Sequence, residues 1–163
     1  MITEMGEYIV GSYLKMIEGC DHVDYNVRPA GGGLKSLGEL DVIGLDFETD
    51  TAYICEVTTH IRGLLYVSNK ETVDRIARKH ERQKAYAREQ LHRFSHHRFM
   101  FWSPVVPVGY ITKSLSEVET LELVINKEYT EKINQLKDLS ATVTHDTGNP
   151  FFRTLQILSH LKQ

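Results

Sequence analysis

Apolar residues recur at helical spacing near the start of the chain, where Tyr8 or Ile9, Tyr13, Met16 and Ile17 share one side of "EYIVGSYLKMI". Thr3 is placed to cap this amphipathic helix and Gly19 to stop it. "VDYNVRP" then alternates and ends at Pro29, as a strand does. The Gly-rich "AGGGLKSLG" cannot hold regular structure and reads as a loop, without the Gly-Lys-Ser/Thr ending of a phosphate-binding loop. "ELDVIGLDFETDTAYICEVTTHI" reads as a hairpin, two β-rich runs around the polar "DFETD". Residues 70–97 predict one long charged helix with a narrow stripe of Val73, Ile76, His80, Ala87 and Leu91. "VVPVGYITK" and "TLELVINKEY" predict two more strands and "TEKINQLKDL" a short helix. The last segment predicts a helix capped by Asn149, with Pro150 at its first position.

This order predicts an α/β layered fold around a mixed sheet. A doubly wound nucleotide fold is excluded, because no strand runs into a Gly-rich turn that opens a helix. With 163 residues, 41% hydrophobic and 25% charged, the chain predicts one domain over 1–163 with a single core. Two cysteines, Cys20 and Cys55, are too few for a disulfide framework. The opening "MITEMGEYIV" has acids where a signal peptide needs positive charge, and no run nears the roughly 18 apolar residues of a membrane span. The expectation is a cytoplasmic protein with no membrane partner.

Asp41 and Glu56 stand out as acids inside the apolar runs of the hairpin. If its loop is the pair 48–49 or the four residues 47–50, cross-strand partners have numbers summing to 97, and Asp41 faces Glu56. Directly opposed Cβ atoms lie about 4.5–5.5 Å apart, where two partly buried carboxylates repel. A divalent cation resolves that conflict, and Mg²⁺ suits it, being commonly held by one or two carboxylates with water and phosphate oxygens completing its shell. An odd loop would send the two acids to opposite faces. Thr58, two residues beyond Glu56, shares its face.

"ELDVIGLD" with "AYICEVTTH" resembles the core hairpin of the PD-(D/E)XK nuclease superfamily, the restriction-endonuclease-like fold, over roughly residues 4 to 112. Asp41 matches its first acid and Glu56 its second, while Thr58 stands where the motif has lysine. The resemblance implies a mixed central β-sheet flanked by helices, Mg²⁺ or Mn²⁺ held by Asp41 and Glu56, and Glu7 on the first helix completing the metal shell. It also implies that Gln83, near Tyr86, orients water or phosphate. A threonine hydroxyl carries no positive charge. The long helix offers Lys79 and Lys84 as replacements, and Lys84, in line with the apolar stripe, is the better placed by sequence.

Residues 70–98 hold nine Lys or Arg against four acids, a balance of +5 in a chain of net charge −3. Arg75, Arg78, Lys79 and Arg82 therefore form the expected contact strip for nucleic acid beside the acidic pair. Two readings follow. The first is Mg²⁺-dependent hydrolysis of DNA phosphodiesters, with a homodimer among the assemblies such nucleases form. The second is an inactive nuclease-fold module that binds nucleic acid or a protein partner of the immunity type, with Thr58 as its main support.

Overall fold

The computed structural model describes residues 2–28 and 39–162, so the Gly-rich segment 30–38 lies outside the described residues. Helix α1 (Met5–Met16) is followed by strands β1 (His22–Val27), β2 (Leu40–Asp46) and β3 (Thr51–Val57). Helix α2 (Asn69–Gln90) leads to β4 (His96–Ser103), α3 (Tyr110–Ser116) and β5 (Leu121–Ile125). Helices α4 (Asn126–Ser140) and α5 (Pro150–Ser159) complete the chain. The strands form one mixed sheet in the order β1-β2-β3-β4-β5. Pairing is antiparallel from β1 to β3 and parallel from β3 to β5.

The hairpin register is the one that an even loop demands. Residues 47–50 form the turn, and Val42 pairs with Cys55, Ile43 with Ile54 and Gly44 with Tyr53. Asp46 holds the turn: its Oδ1 accepts from the Glu48 and Thr49 amides at 3.0 and 3.2 Å, and its Oδ2 from the Thr49 hydroxyl at 2.7 Å. Six of the seven β3 residues are buried, since β3 is central and covered on both sides. That explains why it reads as a nearly continuous apolar run rather than an alternation.

Alternation along the strands divides the core. On one face Val42, Tyr53, Cys55, Met100 and Trp102 meet Val10, Tyr13 and Leu14 of α1, Leu136 of α4 and Phe152 of α5. On the other, Ile43, Ala52, Ile54 and Phe101 meet Ile76 and Ala87 of α2, with Ile111 and Leu115 of α3 alongside. The result is three layers, with helices on both faces of the sheet. Helix α1 lies so close to β1 that a Cβ on Gly11 would overlap the Tyr25 hydroxyl.

Four local expectations change. Glu4, not Thr3, precedes the first turn of α1, and its amide donates to the Glu7 carboxylate at 2.9 Å. Helix α2 stops at Gln90, and residues 96–103, expected inside or just beyond a helix, form β4. Their run of aromatics is buried toward its carboxyl end, which hides the alternation of a strand. Residues 105–113, expected as a strand, are a loop and the start of α3, because Pro107 lacks a ladder donor and Gly109 turns the chain at φ +133°. The strand over 120–129 ends at Ile125, where Asn126 adopts φ +51° and opens α4. Among the described residues no helix is long and apolar enough to cross a membrane.

Candidate active site

Continued one residue past its last pair, Val42 with Cys55, the hairpin register sets Asp41 opposite Glu56, and alternation puts both on the face covered by α2. Asp41 is pinned by the Val57 amide, which donates to its Oδ2 at 2.8 Å. Glu56 is 4% exposed. Lys79, reaching down from α2, donates to the Glu56 Oε2 at 2.9 Å. Burial, then the neighbouring Asp41 charge, pushes the Glu56 carboxyl up to about 8 in spite of Lys79. Lys79 suffers from burial too, but the Glu56 and Asp41 charges outweigh it and hold the ammonium above its ordinary range. The lysine head keeps some contact with water while the glutamate has almost none, so the cost of desolvation falls mainly on the acid.

Glu7 joins this group from α1. It is 8% exposed, and its Oε2 accepts from the Glu4 amide and from Asn26 on β1, the latter at 3.2 Å. Burial raises its pKa, these two hydrogen bonds lower it and the Asp41 charge raises it further, with a net rise. Glu7, Asp41 and Lys79, together with Glu4, Glu39, Thr58 and His60, line an open pocket of about 330 Å³ at the carboxyl end of β3, while Glu56 is buried and reaches that lining only through Lys79. The Glu39 Oε1 is buried there with no hydrogen-bond partner among the described residues. The carboxylates of Glu7 on α1, Asp41 on β2 and Glu39 on the approach to β2 thus line one pocket, with the Glu56 carboxylate of β3 buried next to Asp41. Asp41, Glu56 and Glu7 are the residues able to offer them to a hard cation. Among the described residues no three His, Cys, Asp or Glu stand close enough to hold a metal ion by themselves.

The other expected residues separate into those at the pocket and those away from it. Thr58 lines it, but its hydroxyl donates to Ser103 at 2.8 Å and brings no charge. Lys84 is not at the acids: it pairs with Glu81 at 2.6 Å and lines a different pocket. Lys79 occupies the position that sequence reasoning favoured for Lys84, because α2 crosses the sheet with its first half over the carboxyl end of β3. Gln83 is wholly buried, its amide donating to Ile54 O at 2.9 Å and Met100 O at 3.1 Å, while its Oε1 faces His80 Nδ1 at 2.9 Å. It straps β3 to β4 and does not line the acidic pocket. Tyr86 packs against the sheet cluster instead of the site.

Arg75, Arg78, Lys79 and Arg82 follow i, i+3, i+4, i+7 spacing and share one side of α2. Arg75 lies over the Tyr66 ring at 4.2 Å and Arg78 pairs with Glu71 at 3.0 Å. The Tyr66 hydroxyl in turn lies 3.2 Å from His60 Nε2. His60, Tyr66 and Glu39 were not singled out by sequence. Glu39 has a signal, since alternation from Asp41 places it on the same face. His60 and Tyr66 lie past the end of β3, where periodicity says nothing.

Comparison of the chain with protein-family models, curated proteins and solved structures finds no match.

Proposed function

We propose that the chain is a Mg²⁺-dependent nuclease that hydrolyses DNA phosphodiesters, built on a restriction-endonuclease-like core. One observation carries this reading: Glu56, buried beside Asp41, holds Lys79 at 2.9 Å, and Asp41 and Lys79 both line an open pocket. The order helix, three antiparallel strands, helix, parallel strand supports it, with an acid on α1, one acid each on β2 and β3, and the cation supplied by α2.

The donor set fits Mg²⁺. It offers carboxylate oxygens only, and few enough that water and phosphate must complete the shell, which is how this ion is usually bound. Glu56, neutral or nearly so at neutral pH when its charge has no partner but Lys79, gains from a nearby dication that favours its ionised form. When bound, the ion supplies charge neutralisation at the phosphate and lowers the pKa of an attacking water.

The chain does the rest. Asp41 is held in one orientation by the Val57 amide, and Glu7 by Glu4 and Asn26, so the oxygens are positioned before the substrate arrives. Lys79 remains charged and stands where a phosphate oxygen brought to Asp41 and Glu56 also falls within its reach, supplying the positive charge that Thr58 lacks. Arg75, Arg78 and Arg82 hold flanking phosphates along the same side of α2.

The test is cleavage of labelled single-stranded and duplex DNA with Mg²⁺ or Mn²⁺. Products should depend on the metal and fall by at least about 100-fold in Asp41→Asn. If DNA is bound equally by both proteins and cut by neither, the chain is a binding module; if DNA is not bound at all, the nucleic-acid reading is wrong.

A further inference from the structure

A second pocket, of about 440 Å³, lies on the same face of the sheet but beyond the other half of α2. Its residues come from the last two turns of α2 and the segment just after it, the start of β4 and the turn before β5. In the β3–β4 register His97 pairs with Ala52 and Phe101 with Glu56. The four-residue separation along β4 sets this pocket about 13 Å along the sheet from the acidic one.

Its floor is Ala87 and Phe99, and its rim is Lys84, Arg88, His92 and His97. Among the described residues no acidic side chain lines it. The His97 and Phe99 rings, two apart on β4, lie nearly parallel, with 18° between their planes and 6.3 Å between centroids. Phe99 is fixed from behind by the buried His80, edge-on at 5.4 Å. The carboxyl end of a helix ordinarily repels anions. Here the Leu91 carbonyl, at the end of α2, accepts from His97 Nε2 at 2.7 Å, so part of that negative end is already neutralised.

A stacked His97–Phe99 pair beside a rim that carries Arg88 and Lys84 has a definite complement. We infer that this pocket binds a small planar aromatic anion of the size of a free nucleoside monophosphate. Its ring continues the stack of the His97–Phe99 pair, and its phosphate meets Arg88 and His92, with Lys84 joining only by leaving Glu81. The volume is in the range of small-molecule sites, in which an apolar surface carries most contacts and a few polar groups orient the ligand. Ring stacking on the aromatic wall and charge-assisted hydrogen bonds at the rim act on different parts of one ligand, so neither part alone should bind well. This site is independent of the nuclease reading, sharing none of Asp41, Glu56 and Lys79.

The experiment is NMR of the ring protons of His92, His97 and Phe99 in the whole chain, titrated separately with AMP, adenosine, inorganic phosphate and a short single-stranded oligonucleotide. AMP should shift these resonances saturably, with adenosine and phosphate each at least about tenfold weaker. Arg88→Ser, an exposed change in the last turn of α2, should weaken AMP about tenfold while the ring-proton shifts of the unliganded chain show the fold intact. No saturable shift with AMP, an equal effect of phosphate alone, or unaltered AMP binding in Arg88→Ser would each overturn the inference. Tighter binding of the oligonucleotide at these same resonances would overturn the free ligand in favour of a nucleic-acid strand.

Discussion

Glu56→Gln isolates the electrostatic cost of opposing two acids inside the sheet. The carboxyl is pushed from 4.5 to about 8, chiefly by burial and then by Asp41. Above its ordinary pKa the unfolded chain releases this proton, whereas the folded chain keeps it until about pH 8. The folded state therefore binds more protons through this window, and stability falls as pH rises across it. At about 1.4 kcal/mol per pH unit the whole interval amounts to on the order of 5 kcal/mol. That is a large share of a typical domain stability of roughly 5–15 kcal/mol. Glutamine has the shape of the protonated acid and does not titrate. The variant should match the wild type near the acidic end of the window and exceed it by several kcal/mol at the alkaline end. Urea denaturation across the window, with metals chelated and the denaturant slopes compared, measures this directly. Equal pH slopes in the two proteins, or a wild type that gains stability as pH rises, would refute the reasoning. Added Mn²⁺ should flatten the wild-type slope, because a cation bound at Glu56 favours its ionised form.

Lys79→Ala should lower DNA cleavage by about 100-fold while Lys84→Ala stays within about twofold of wild type, a contrast read in one nuclease assay, since only Lys79 touches Glu56. Gln83→Leu strips partners from Ile54 O, Met100 O and His80 Nδ1 at once, and should cost roughly 3 kcal/mol or more in chemical denaturation. Gly11→Ala forces the Tyr25 ring tip away from α1 and should destabilise by about 1–3 kcal/mol, seen as a lower thermal midpoint.

Much of the scaffold is legible because it rests on local regularities. The even loop at 47–50 and the two β-rich runs set the register that opposes Asp41 and Glu56. The stripe of Ile76, His80, Ala87 and Leu91 is buried as its spacing requires. Glu7 follows from its place one turn into α1 and reaches the pocket. β4 is less legible: aromatic residues and histidines adjoin a long charged helix with no clean alternation, and parallel pairing to β3 and β5 supplies the reason for a strand there.

The chemistry of polar residues on α2 shows where local pattern stops. Lys79 and Lys84 are equivalent by composition and both adjoin the apolar stripe. Their difference arises from where α2 crosses the sheet, which sets one ammonium on Glu56 and leaves the other with Glu81. Gln83 carries an amide that suits a site or a strut equally well, and only the nearness of Ile54 O and Met100 O makes it a strut. By itself the sequence determined the helix faces, the hairpin and the opposed acids, because hydrophobic period and turn length act over a few residues. The crossing of α2, the partner of each lysine and the two pockets beside that helix were decided by tertiary packing, because they depend on distances between segments that are far apart in the chain.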